Sequence, residues 1–147
     1  KADASKEVKP MIRSLFADRF VFSDVHEVLA KLAEKNVDFA IGSITDTEPL
    51  LYYLELNQLS FSHIYTSEDM QVYKPNIKFY DTILQRSGWL AEECLFVGDS
   101  YIDDVLGPQK IGMKTVLLDR KALYKSTELT PQPDFVIHSL LELLKVI

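Results

Sequence analysis

Cysteine is nearly missing. Cys94 is the one thiol in the chain, so an internal disulfide framework is excluded and a reducing compartment is expected. Positive charge is also scarce: 16 Lys and Arg face 22 Asp and Glu, a net −6, which argues against a nucleic-acid footprint. No apolar run approaches the roughly 20 residues that a bilayer crossing needs. The opening Lys1-Ala2-Asp3-Ala4-Ser5-Lys6 is polar, unlike a signal peptide. The expectation is a soluble cytoplasmic protein with no nucleic-acid or membrane partner. The three histidines have no acidic or cysteine partners at metal spacing, so His26 is read as surface and His63 and His138 as structural. No repeat, low-complexity tract or linker divides the chain. What is present is 47% hydrophobic residues with 11% aromatics, enough for one domain of 147 residues with a real core.

The chemistry concentrates in residues 94–118. Leu95, Phe96 and Val97 form a short apolar run, the pattern of a strand buried on both faces, and Cys94 is a small hydrophobe at its start. Gly98 permits a sharp turn, which puts Asp99 at the strand's carboxyl edge, where open parallel sheets keep their sites. Asp103 and Asp104 follow at a helix start, where the macrodipole favours negative charge. Gly112 closes that helix, and Lys114 to Leu118 form the next strand. Three carboxylates, Asp99, Asp103 and Asp104, beside a buried strand end suit a hard cation such as Mg²⁺.

Earlier in the chain, Val8 to Phe16 fits a short helix and Arg19 to Phe22 is a brief apolar stretch. Asp24 with Glu27 has capping-box spacing, ahead of a helix through about Lys35. Phe39-Ala40-Ile41 reads as a strand, followed by Gly42-Ser43-Ile44-Thr45-Asp46 and a helix over 47–57. A hydroxyl such as that of Ser43, beside helix-start amides, suits a phosphate oxygen or a helix cap. Ile64-Tyr65-Thr66 is the next strand, and Ser67-Glu68-Asp69 opens a loop to Lys74-Pro75. Proline keeps the preceding lysine out of helical angles, so Lys74 stands at the mouth of a helix over about 76–86. A fixed ammonium there would balance phosphate and carboxylate charge. Residues 119–132 read as a polar surface loop. Asp134 to Ile137 reads as a last strand, and Ser139 as the cap of a final helix through Leu144.

The run Val97-Gly98-Asp99-Ser100, Asp103-Asp104, Gly107, Gly112-Met113-Lys114 resembles the fourth motif of haloacid dehalogenase-like (HAD) hydrolases. Lys74-Pro75 with Phe79 resembles the third motif, and Ser43 stands at the second-motif Ser/Thr. Ile44 stands where family members often carry Asn. The ordered resemblance covers roughly residues 20–147. It implies an α/β fold, a Rossmann-like doubly wound, mostly parallel sheet with helices on both faces. It also implies Ser43, Lys74 and Asp104 as catalytic residues, Ser43, Ile44 and Lys74 at the phosphate, and Asp99, Asp104 and Asp103 at Mg²⁺. The implied activity is Mg²⁺-dependent phosphate release from a small phosphorylated metabolite through an aspartyl-phosphate. A catalytically inactive binding module and a 2-haloacid dehalogenase are the alternatives.

The family's first motif, Asp-x-Asp at the end of an N-terminal strand, has no counterpart. Asp24 opens a helix and does not match it. The resemblance therefore implies the C-terminal part of a longer protein, with 1–22 a remnant of a cap or connecting segment and 23–147 a partial core. The first strand would lie between the strands ending at Ser43 and Asp99. That gap is expected to be filled by this chain or by strand donation in a homo-oligomer, and not by direct pairing of the two strands. A phosphorelay receiver domain also combines acids, Ser/Thr, Lys and Mg²⁺, but places its acids first and its lysine last.

Overall fold

A computed structural model describes residues 20–147 of the chain. The helix expected over Val8 to Phe16 lies outside the described residues. So does Arg19, and Phe20 to Phe22 have no regular structure.

Helix α1 (Val25–Glu34) leads to strand β1 (Ala40–Ser43), helix α2 (Thr47–Leu56) and strand β2 (His63–Thr66). A one-turn helix α3 (Ser67–Met70) and the longer α4 (Ile77–Ser87) follow. Strand β3 (Leu95–Gly98) runs into a π-helical turn (Tyr101–Leu106) and a short helix α5 (Gly107–Gln109). Strands β4 (Lys114–Leu118) and β5 (Phe135–Ile137) complete the sheets, and a 3₁₀ segment, Leu140–Lys145, closes the chain.

Every strand pair among the described residues is parallel. β1 pairs with β2, and β3-β4-β5 form a second ladder in that order. Parallel pairing demands crossover helices, and these cover both faces. One apolar cluster packs Val28 and Leu32 of α1 and Leu143 of the last segment against Val116 and Ile137, with Leu95 and Val97 beside them. The other packs Phe79, Tyr80 and Ile83 of α4 with Tyr65 and Met113, against Ala40 and Phe96. Adjacent β3 residues thus face opposite layers, as strand alternation requires. The second cluster takes residues from β1, β2 and β3, so it spans both ladders.

Three expectations need correction. Asp24 does not cap α1: its backbone is helical and its side chain makes no cap bond. The carboxylate turns instead to Arg120 and to the start of the last segment. Ser67 to Asp69 form a helical turn and not an open loop, because Thr66 Oγ1 accepts from Asp69 N (3.1 Å) and caps it. The acidic turn after β3 is π-helical before it becomes α-helical.

Candidate active site

Lys74 is the centre of the arrangement. It precedes Pro75 through a cis peptide, and Asn76 caps α4 by accepting from Lys78 N (3.0 Å). The Lys74 side chain enters the protein and is only 11% exposed. Its ammonium lies 2.8 Å from Asp104 Oδ1. It also lies over the Phe96 ring at 4.9 Å and the Phe79 ring at 5.5 Å, within the range where a ring's negative face attracts a cation. A largely buried charge needs such partners, because desolvation otherwise costs several kcal/mol.

Asp104 is held from its other side. Its Oδ2 accepts from Ser100 N (2.9 Å), and its own amide donates to Ser100 O (2.7 Å). The carboxylate presses against Gly98, where a Cβ would sit 2.2 Å from it. Glycine is needed there for close approach. Ser100 also caps the π-helical turn, accepting from Asp103 N (3.2 Å) and donating to Asp103 Oδ2 (3.1 Å). Among the described residues, the Asp99 carboxylate is exposed and has no hydrogen-bond or ion-pair partner.

Ser43 ends β1, half-buried, and its Oγ accepts from Thr45 N (3.0 Å). That leaves the hydroxyl proton for a ligand oxygen. Ile44 points outward, 53% exposed, so only its backbone could serve an anion. Phe79 links this strand end to the lysine: a Cβ at Gly42 would lie 3.5 Å from the same ring that faces Lys74.

Lys74, Asp104, Asp103 and Ser100 therefore form one bonded group, Gly42, the residue before Ser43, lies against the Phe79 ring that faces the lysine, and Asp99 stands open at the strand edge. No group of three metal-ligating side chains converges among the described residues. Mg²⁺ is commonly held by one or two carboxylates plus waters and phosphate oxygens. The free Asp99 carboxylate, with Asp103 nearby in sequence, is an oxygen donor set of that kind and fits such an ion. Asp24 is not available for chemistry. Bidentate bonding to Arg120 (2.8 and 2.9 Å), with Leu140 N and Ser139 Oγ, holds its carboxyl at about 2, well below the ordinary range. Burial first and then Glu93 push the Cys94 thiol up, which disfavours its thiolate.

Two tyrosines join the site without having been legible in the sequence. Tyr80, inside the core, donates its hydroxyl to the Asp103 carbonyl. Burial first, then the Asp104 and Asp103 charges, push that phenol far up, so it stays a donor. Tyr124, from the loop after β4, reaches back to Asp99 O (3.3 Å) and Tyr101 N (3.4 Å). No local pattern marks a contact across more than 20 residues. Ser100 could have been found, because Ser100-x-x-Asp103 has the spacing of a cap. A groove of about 560 Å³ lined by His26, Leu29, Ala33, Phe39, Leu59 and Ser62 opens beside the amino ends of β1 and β2, away from this group.

The sequence profile described as haloacid dehalogenase-like hydrolase matches residues 7–118. A glyceraldehyde 3-phosphate phosphatase of Methanocaldococcus jannaschii is 31% identical over 126 residues, 83% of this chain and 55% of that protein. The crystal structure of a HAD phosphatase from Thermococcus onnurineus superposes with a TM-score of 0.78 at 27% identity, over 86% of this chain and 57% of the other. A dehalogenase crystal structure superposes at 0.83 and 26% identity, over 91% and 59%. The chain spans about half the length of the curated relatives it matches, 55% and 56% of two of them.

Proposed function

The chain belongs to the haloacid dehalogenase-like hydrolase family, and from that premise we propose that its protein is a Mg²⁺-dependent phosphatase of a small phosphorylated metabolite. The observation that carries this is the largely buried Lys74 ammonium, 2.8 Å from Asp104 at a parallel strand's carboxyl edge. The names of the curated relatives support phosphate ester hydrolysis.

In this reading the Ser43 hydroxyl donates to a phosphoryl oxygen, and the Ile44 backbone borders the same oxygen. Lys74 neutralises charge on the phosphoryl group as that charge spreads in the transition state. Asp104 keeps the ammonium aimed, and Ser100 keeps Asp104 in place. Asp99, with Asp103 and Asp104 behind it, would hold Mg²⁺, which supplies further neutralisation of phosphate charge. The attacking aspartate belongs to a strand seated between β1 and β3. No such strand lies among the described residues.

Calorimetric titration with Mg²⁺ tests the metal assignment on the chain itself. Asp99→Asn should weaken binding by about tenfold or more, and equal affinity in both proteins removes Asp99 from the site. In the protein that carries the attacking aspartate, Mg²⁺-dependent phosphate release from an aryl phosphate should fall in kcat on Lys74→Ala, with little change in KM. Turnover of 2-haloacids without phosphate release would overturn the phosphatase reading.

A further inference from the structure

Tyr80 lies fully buried on α4, its ring edge-on to Phe79 at 5.3 Å and to Phe96 at 5.4 Å. These are the two rings that the Lys74 ammonium faces. Its hydroxyl donates to the Asp103 carbonyl, one residue before the carboxylate that holds Lys74. Two features of the chain make room for that bond. In a π-helical turn the Asp103 carbonyl would pair five residues on, with position 108, and Pro108 has no N–H. At the preceding residue, Gly107, a Cβ would lie 2.2 Å from the Tyr80 hydroxyl. The turn lacks a π-helical donor where the phenol supplies one, and it is bare of side chain where the phenol enters.

We infer that Tyr80 is a positioning residue for the Lys74–Asp104 pair. The hydroxyl anchors the Asp103 carbonyl and with it the direction in which Asp104 leaves the backbone. The ring braces Phe79 and Phe96, the surface that the ammonium crosses. Helix α4 and the segment leading into it are thereby joined to the acidic turn at two points, one an ion pair from Lys74 and one a neutral hydrogen bond from Tyr80. This deepens the proposed function by naming what holds its charge-balancing pair, and it rests on that reading only for its consequence in catalysis.

The test is nuclear magnetic resonance of the Lys74 side chain in wild type and Tyr80→Phe, alongside thermal unfolding. Wild type should show a ζ-ammonium signal protected from water exchange and ε-methylene protons moved upfield by the two rings. Tyr80→Phe keeps the ring and removes the one bond. It should leave the protein folded with a small loss in Tm, raise ammonium exchange roughly five- to tenfold, and shrink the upfield shift. A lowered Tm with wild-type Lys74 signals would make Tyr80 a core residue only and overturn the proposal. An unfolded Tyr80→Phe would do the same, by assigning the hydroxyl to stability. Adding inorganic phosphate with Mg²⁺ to wild type is a separate arm. If the Lys74 signals do not respond, the phosphatase reading fails, while the comparison with Tyr80→Phe stands.

Discussion

Asp24 shows how one side chain can serve the fold where its sequence neighbourhood suggests a local task. Its two oxygens take both guanidinium nitrogens of Arg120, and one also takes Leu140 N (2.8 Å) and Ser139 Oγ (3.0 Å). Arg120 in turn stacks on Phe22, 4.1 Å from its ring centroid. Arg120 first, then the backbone and hydroxyl donors, favour the ionised form against the cost of burial, and the carboxyl drops from its ordinary 3.8 to about 2. A depressed carboxyl contributes stability that is present above its unfolded pKa and lost as pH falls through the folded one. The contribution is about 2 kcal/mol, complete above about pH 5 and mostly lost as pH falls to about 2. Urea unfolding of wild type and Asp24→Asn should therefore differ by about that amount at pH 6 and converge towards pH 2. A difference that stays constant over this range would mean that the carboxylate's charge is not what Arg120 holds.

Asp24-x-x-Glu27 and Ser139-x-x-Glu142 share the capping-box spacing, and only the second forms the box. Ser139-x-x-Glu142 folds as a full capping box, with Glu142 Oε1 accepting from Ser139 N (3.0 Å). Asp24-x-x-Glu27 does not, because partners 96 and 116 residues away take the aspartate first. Ser139→Ala should cost about 1 kcal/mol from the cap plus a smaller loss at Asp24, whereas Glu27→Ala should cost almost nothing. Equal losses in chemical denaturation would mean that Glu27 supports α1 after all. Elements were legible where their cause is local. β4 follows the apolar run Lys114 to Leu118 residue for residue, and α4 follows its apolar spacing and the Gly88 stop. Lys74 was legible because proline constrains it, and Asp99 and Asp104 because an apolar strand ends beside them. The π-helical turn was not, since its Asp103 carbonyl takes its donor from a tyrosine on another helix. Nor was Tyr124 over Asp99, which depends on Asp119 accepting from Leu123 N and Tyr124 N and so shaping the loop.

At the scale of the whole molecule, the two ladders share a core without sharing a hydrogen-bonded edge. β1 is bonded on one side to β2, and β3 on one side to β4. All four residues of each are half-exposed, whereas Thr115, Val116 and Leu117 of β4 are buried. Direct pairing of β1 with β3 does not occur, and no strand among the described residues lies between them. Backbone groups along such edges can be satisfied by water while they stay accessible, but an open apolar edge invites another strand. Phe96 and Val97 of β3 and Ile41 of β1 would each lose further exposed surface to an inserted strand. The chain by itself should therefore bind a hydrophobic dye and sediment with a concentration-dependent mass. A polypeptide that supplies a parallel apolar strand, in the same chain or added in trans, should abolish both and raise Tm by several degrees, since burying two to three apolar side chains contributes on the order of 4 kcal/mol. The added strand must run parallel to β1 and β3, which would carry an acidic residue at its carboxyl end to the level of Ser43 and Asp99. A strictly monomeric chain that binds no dye and gains nothing from such a strand would mean that the gap is closed by other means. The attacking aspartate of the proposed reaction would then have no seat.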